Sequence, residues 1–132
     1  MLPDVRHQHL IVRAEIEHPP IGQDEAHVVE EWMRALIDRI GMKIMFGPQA
    51  MYCEVEGNRG MTAFAIIETS HLAFHSWDEM DTAILQLDVY TCSHLKVQDV
   101  IDSLDQFDPV KVEYKFLDRE HDLKLVSEKN HA

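Results

Sequence analysis

The stretch MTAFAIIETSHLAFHSW, residues 61–77, decides the fold. Its first half, residues 61–68, is rich in short and β-branched side chains. Its second half, TSHLAFHSW, runs on with neither glycine nor proline between. Two successive strands are expected, with the turn signal Glu56-Gly57-Asn58-Arg59-Gly60 in front of them. Residues 82–91 follow with period-two alternation, Ala83, Leu85, Leu87 and Val89 sharing one face. Upstream, residues 43–55 are β-like but interrupted by Gly47-Pro48. Farther out on both sides lie two more alternating runs. Leu10, Val12, Ala14 and Ile16 face one way within residues 9–17, and Val110, Val112, Tyr114 and Phe116 do the same in a last strand.

Two helical patterns separate these runs. Residues 24–40 carry Val28, Val29, Trp32, Met33, Leu36, Ile37 and Ile40 at helical spacing, with Asp24 as the expected cap and Gly41 as the stop. Residues 95–107 carry Val97, Val100, Ile101, Leu104 and Phe107, with Ser93 as the expected cap and Pro109 as the stop. The order β-α-β-β-β-β-α-β predicts an α+β fold. It is a two-layer sandwich in which a mostly antiparallel sheet carries both helices on one face. The other sheet face holds an unusual mixture. His71, Ala73, His75 and Trp77 come from one strand, and Ile84, Gln86, Asp88, Tyr90 and Cys92 from the next. That set is too apolar for plain solvent and too polar for a core, which points to a dimer interface or a ligand site.

The chain has 132 residues, enough for one domain over 1–132. Hydrophobic residues make up 45%, so a core can form and the chain is not a disordered tail. Twelve Lys and Arg stand against 24 Asp and Glu, a net charge of −12, which argues against nucleic-acid binding through a basic face. Cationic ligands are permitted by that balance, though acidity serves solubility first. Two cysteines, Cys53 and Cys92, are too few for a disulfide-stapled mini-protein or a multi-thiolate zinc site. The N-terminus lacks a signal-peptide layout and no run reaches 18 apolar residues, so a cytoplasmic protein without a membrane span is expected. Only the last stretch, SEKNHA, reads as a frayed tail.

The densest chemistry lies in Glu68-Thr69-Ser70-His71-Leu72-Ala73-Phe74-His75-Ser76-Trp77 and Asp88-Val89-Tyr90-Thr91-Cys92. A metal held by His71 and His75 is disfavoured, because four positions along a strand span roughly 13 Å and one ion needs both nitrogens about 2 Å away. A Ser70–His75 or Cys92–imidazole nucleophile is chemically reasonable, but no Gly-x-Ser-x-Gly element supports it. On residue types alone, the plainer alternative has Cys92 as a small core hydrophobe and the histidines as surface or interface groups.

The same residues resemble the small bacterial and archaeal type of the S-adenosylmethionine decarboxylase family. That family has a Glu-Ser-His segment, then His-Thr-Trp-Pro-Glu, then a strand ending Asp-x-Phe-Thr-Cys-Gly. Here the corresponding residues are Thr69-Ser70-His71, His75-Ser76-Trp77-Asp78-Glu79 and Asp88-Val89-Tyr90-Thr91-Cys92-Ser93. His9-Leu10 is similar to the family's opening His-Leu, and the likeness runs over roughly residues 7–118. The resemblance implies a self-cleaving proenzyme cut between Thr69 and Ser70. Ser70 becomes a pyruvoyl cofactor that forms a Schiff base with the substrate amine and takes up the electrons left by carbon dioxide. It further implies His75 and Thr62 as processing residues, Cys92 as the proton donor, and Glu68, Thr69 and Trp77 as substrate contacts. The implied product is the aminopropyl donor for spermidine synthesis, made by a homodimer or higher homo-oligomer. No metal is called for.

Several residues depart from the family pattern. Thr69 stands where the family has glutamate, Thr62 where it has serine, Asp78 where it has proline, and Ser93 where it has glycine. The loop 78–82 is longer by two. Alternation puts Ser70 and His75 on opposite faces, so the assigned roles require a bend near Ser70. Two alternatives remain open, a pyruvoyl decarboxylase of another basic amino acid and an unprocessed relative that binds a ligand or partner without catalysis.

Overall fold

The computed structural model describes residues 7–130. Strand β1, Gln8–Ile16, buries Leu10, Val12, Ala14 and Ile16 almost completely, as its alternation requires. A short 3-10 turn, Gln23–Glu25, then leads into helix α1, Ala26–Arg39. The chain continues through β2 (Ile44–Cys53), β3 (Gly60–Ile67), β4 (Ser70–Trp77) and β5 (Ala83–Thr91). Helix α2 (Val97–Ser103) follows, extended by a 3-10 turn, Leu104–Phe107, and then β6 (Pro109–Asp118) and β7 (Lys124–Lys129). All seven strands form one sheet in the order β2-β3-β4-β5-β1-β6-β7, and every neighbouring pair is antiparallel. The first strand therefore lies between β5 and β6, closing the two chain halves onto one another.

The two helices and the inward sheet face share a single core. Trp32 is its hinge. The indole packs edge-on to Phe74 at 5.4 Å and to Phe107 at 5.2 Å, tying helix, sheet and second helical segment together. Its Nε1 donates to the Ser103 carbonyl at 2.7 Å, so the one polar atom of the ring is satisfied. Trp32→Ala is expected to lower unfolding free energy by about 3–5 kcal/mol, the usual range for a buried aromatic truncated in a core. Urea denaturation checks it, and a loss below about 1 kcal/mol would place the ring outside the core.

Four local expectations are corrected. Asp24 does not cap α1; it lies in the 3-10 turn, and the Glu25 carboxylate instead accepts from Ile21 N. Ser93 does not cap α2, which begins later at Val97; its hydroxyl bonds Met42 Sδ at 3.3 Å. The region around SEKNHA is not wholly a tail, since Ser127–Lys129 belong to β7, paired with β6 across a turn in which Asp122 and Leu123 have positive φ; residues 131–132 lie outside the described residues. Finally, β4 has no bend at Ser70. Its pairing with β3 runs unbroken from Ile67↔Ser70 to Thr62↔His75.

Candidate functional site

The turn between β3 and β4 is only Glu68-Thr69, because Ile67 and Ser70 are already paired. Thr69 takes φ +52°, a left-handed conformation that a β-branched residue adopts at a cost of about 1–3 kcal/mol. Its hydroxyl proton is shared between two acceptors, the Glu68 carbonyl at 2.8 Å and Cys92 Sγ at 3.0 Å. The thiol in turn donates to the Glu68 carbonyl at 3.4 Å. The hydrogen bond from Thr69 holds the Cys92 thiol below its ordinary pKa, with burial opposing it. Cys92 is partly buried just beyond β5, on the face away from the helices, and is a free thiol. Cys92 is thus not a small core hydrophobe.

Ser70 begins β4 with its side chain on the helix side, 7% exposed. Its Oγ is buried and makes no hydrogen bond to any described residue. The structure therefore gathers Glu68, Thr69, Ser70 and Cys92 at one end of the sheet. Thr62 and His75 form a separate pair, 3.2 Å apart between Oγ1 and Nδ1, opposite each other on β3 and β4. His75 lies five positions beyond Ser70 on an unbroken strand, about 16 Å at roughly 3.3 Å per residue, and its side chain is on the other face. Within one chain the two do not meet. Trp77 lies farther still from Ser70, with its ring 6.1 Å from that of His75 and its Nε1 donating to Asn58.

A third group was not legible as a unit in the sequence. His9, His71, Asp88 and Tyr90 come together on the open face, from three strands adjacent in the sheet order β4-β5-β1. Tyr90 pairs in register with both His9 and His71. The Asp88 carboxylate is hydrogen-bonded by His9 Nε2 and lies 3.5 Å from His71 Nε2. Arg119 Nη1 donates to His9 Nδ1 at 3.0 Å, and its guanidinium lies over the Tyr90 ring at 4.3 Å. Arginine has no acceptor, so the His9 proton sits on Nε2 and points at Asp88. Partial burial opposes the charge on Asp88, but the hydrogen bond and charge of His9, with the help of His71, outweigh it and hold the carboxyl below its usual range. His71 lies with His9 and Asp88 rather than with His75. The ligand atoms of His9, His71 and Asp88 all lie within 4.8 Å of one another.

The same face carries exposed apolar side chains toward its β2–β3 edge. Phe46, Met51, Phe64 and Ile66 are all more than 40% exposed, with Phe46 and Phe64 stacked at 6.0 Å. Beside the imidazole cluster, over β4, β5 and β1, an open depression of about 360 Å³ is lined by residues including His9, Arg13, His75, Gln86 and Asp88. No helix among the described residues is long and apolar enough to cross a membrane.

A family model described as S-adenosylmethionine decarboxylase matches residues 8–120. The S-adenosylmethionine decarboxylase proenzyme of Pyrobaculum islandicum is 41% identical over 64 residues, which cover 47% of this chain and 50% of that protein. The proenzyme of Methanococcus maripaludis is 36% identical over 50 residues, covering 37% and 39% respectively. The matched stretches thus span half or less of these curated relatives. Among solved structures, the adenosylmethionine decarboxylase from Aquifex aeolicus superposes with a TM-score of 0.62 over 88% of this chain and 92% of that one. At 17% identity, this is a likeness of fold.

Proposed function

Because the chain belongs to the S-adenosylmethionine decarboxylase family, we propose that it is a self-processing carboxy-lyase acting on S-adenosylmethionine to supply the aminopropyl donor for spermidine synthesis. In this reading residues 1–132 form one cytoplasmic domain, cut between Thr69 and Ser70. The observation that carries it is the Ser70 hydroxyl. Leaving a buried hydroxyl unpaired costs about 1–3 kcal/mol, and here that free hydroxyl follows directly on a residue in a strained conformation. A side chain that is to attack the preceding carbonyl must be left unengaged, so this residue fits the precursor of a pyruvoyl group.

The Ser70 oxygen displaces its own nitrogen from the Thr69 carbonyl carbon, and the peptide bond becomes an ester. A base then removes the Ser70 α-proton, the C–O bond breaks, and Thr69 leaves as a free carboxylate. Hydrolysis of what remains at residue 70 releases ammonia and leaves the ketone. Once formed, the pyruvoyl group supplies an electron sink for decarboxylation. Cys92 then returns a proton to the product carbon, held in place by Thr69 and the turn. His75 is the processing base, with Thr62 orienting its ring. Glu68 and Thr69 lie where substrate enters, while Trp77 stands with His75.

His75 reaches Ser70 only from a second copy. The helix-free face, with its exposed Phe46, Met51, Phe64 and Ile66, fits such an assembly: two sheets stacked face to face with their strands oppositely directed bring the Thr62–His75 pair of each chain toward the Ser70 end of the other. A homodimer is therefore the minimal processing unit. The separation of Ser70 from His75 equally favours a second reading, an unprocessed binding protein, if the chain stays monomeric. Intact mass and carbon dioxide release from S-adenosylmethionine decide between them. The expected result is fragments 1–69 and 70–132 with turnover; a single uncut chain of 132 residues without turnover overturns the decarboxylase reading.

A further inference from the structure

The imidazole cluster on the open face has no part in the scheme above, yet it adjoins the reacting end. His71 directly follows Ser70, so consecutive α-carbons put it about 3.8 Å along the chain. Its register partner is Tyr90, and Cys92 lies two positions farther along the same row. One nitrogen of its ring, Nε2, is directed to Asp88. The other, Nδ1, has no hydrogen-bond partner among the described residues. An α-amino acid whose amine condenses at residue 70 carries its carboxylate two bonds beyond that nitrogen, within a few ångströms of the residue 70 α-carbon. His71, the next residue along the chain, carries a cationisable side chain in that neighbourhood.

We propose that His71, with Asp88 as its positioning residue, receives the α-carboxylate of the amino-acid substrate. This rests on the decarboxylase reading and deepens it by naming how the acid is recognised. The groups around His71 are arranged for the task. Asp88 and Tyr90 face it from β5, His9 from β1, and Arg119 from beyond β6, while its β3 partner is the apolar Ile66. Arg119 fixes the proton of His9 on the Asp88 side, so His9 presents a donor to the carboxylate. Asp88, held ionised, lies 3.5 Å from His71 Nε2 and orients the ring with Nδ1 free. That nitrogen offers a local donor in a chain of net charge −12. The sulfonium end of the substrate is served by the overall acidity, and its carboxylate needs this local exception.

The test uses the processed protein with two probes, S-adenosylmethionine and its methyl ester, which lacks the charged carboxylate. In His71→Gln the KM for the acid is expected to rise about tenfold or more, as for a lost charge-assisted hydrogen bond, while the inhibition constant of the ester stays within about twofold. Asp88→Asn is expected to give the same split more weakly, and Asp88→Glu to restore most of it. Equal losses for acid and ester in either His71→Gln or Asp88→Asn overturn the proposal. So does a stoichiometric zinc complex that His9→Gln abolishes, because the three side chains would then be metal ligands. If the wild-type chain neither cleaves nor releases carbon dioxide, the parent reading falls and takes the carboxylate role with it.

Discussion

Chains carrying Ser70→Ala and chains carrying His75→Ala, each uncut when produced alone, are expected to yield cut chains when produced together. The first variant lacks the hydroxyl that starts the acyl shift. The second lacks the base, and general-base assistance is worth about 10²–10⁴ in rate, so it stalls at the ester. In a mixed dimer the His75→Ala chain keeps its Ser70 and faces an intact Thr62–His75 pair on the Ser70→Ala chain. Fragments 1–69 and 70–132 should appear, and the second should carry alanine at position 75. The expectation follows from geometry. Ser70 and His75 lie five positions apart on an unbroken strand, on opposite faces, and no bend in β4 narrows the gap. Absence of cut chains in the mixture, with dimers verified by light scattering, would show that the base acts within its own chain after a rearrangement of the turn.

Much of this was legible in the sequence, for a physical reason. Where one face of an element is buried, hydrophobic period reports the element. Leu10, Val12, Ala14 and Ile16 gave β1, and the stripe through Trp32, Leu36 and Ile37 gave α1. β7 had no such signal. Leu125 and Val126 are adjacent and both exposed, so nothing alternates, and what makes the strand is a backbone turn at Asp122 and Leu123 with pairing to β6. At the site, the residue types in 68–77 and 88–92 marked the chemistry, and alternation alone separated Ser70 from His75. The sequence could not show that β4 runs straight through Ser70, which is what makes a second chain the proposed source of the base. Nor could it show that His9, 62 residues before His71, belongs with it. That neighbourhood depends on β1 inserting beside β5, a long-range pairing that no local pattern encodes.

Cys92→Ala should cleave normally and lose turnover by about 10² or more, the lower range for a positioned general acid. Processing does not need the thiol, because Ser70 attacks its own neighbouring carbonyl. Turnover does, because the carbon that loses carbon dioxide must regain a proton. The environment of Cys92 also fixes the sign of the pH dependence. The Thr69 hydroxyl stabilises the thiolate, so the thiol ionises below its ordinary pKa. The active donor is the protonated form, so turnover is expected to fall as pH rises through that lowered value, earlier than for a free thiol near 8.5. Thr69→Val removes that contact and keeps the branched shape. It should move the alkaline limb of turnover upward, toward the free-thiol value, and slow thiolate-dependent alkylation of Cys92 at neutral pH; a Cys53→Ser background leaves one reactive thiol. Thr69→Ser keeps the donor and should leave the limb in place. An alkaline limb that does not respond to Thr69→Val would mean that another group supplies the proton, and Cys92 would revert to a packing role at the end of β5.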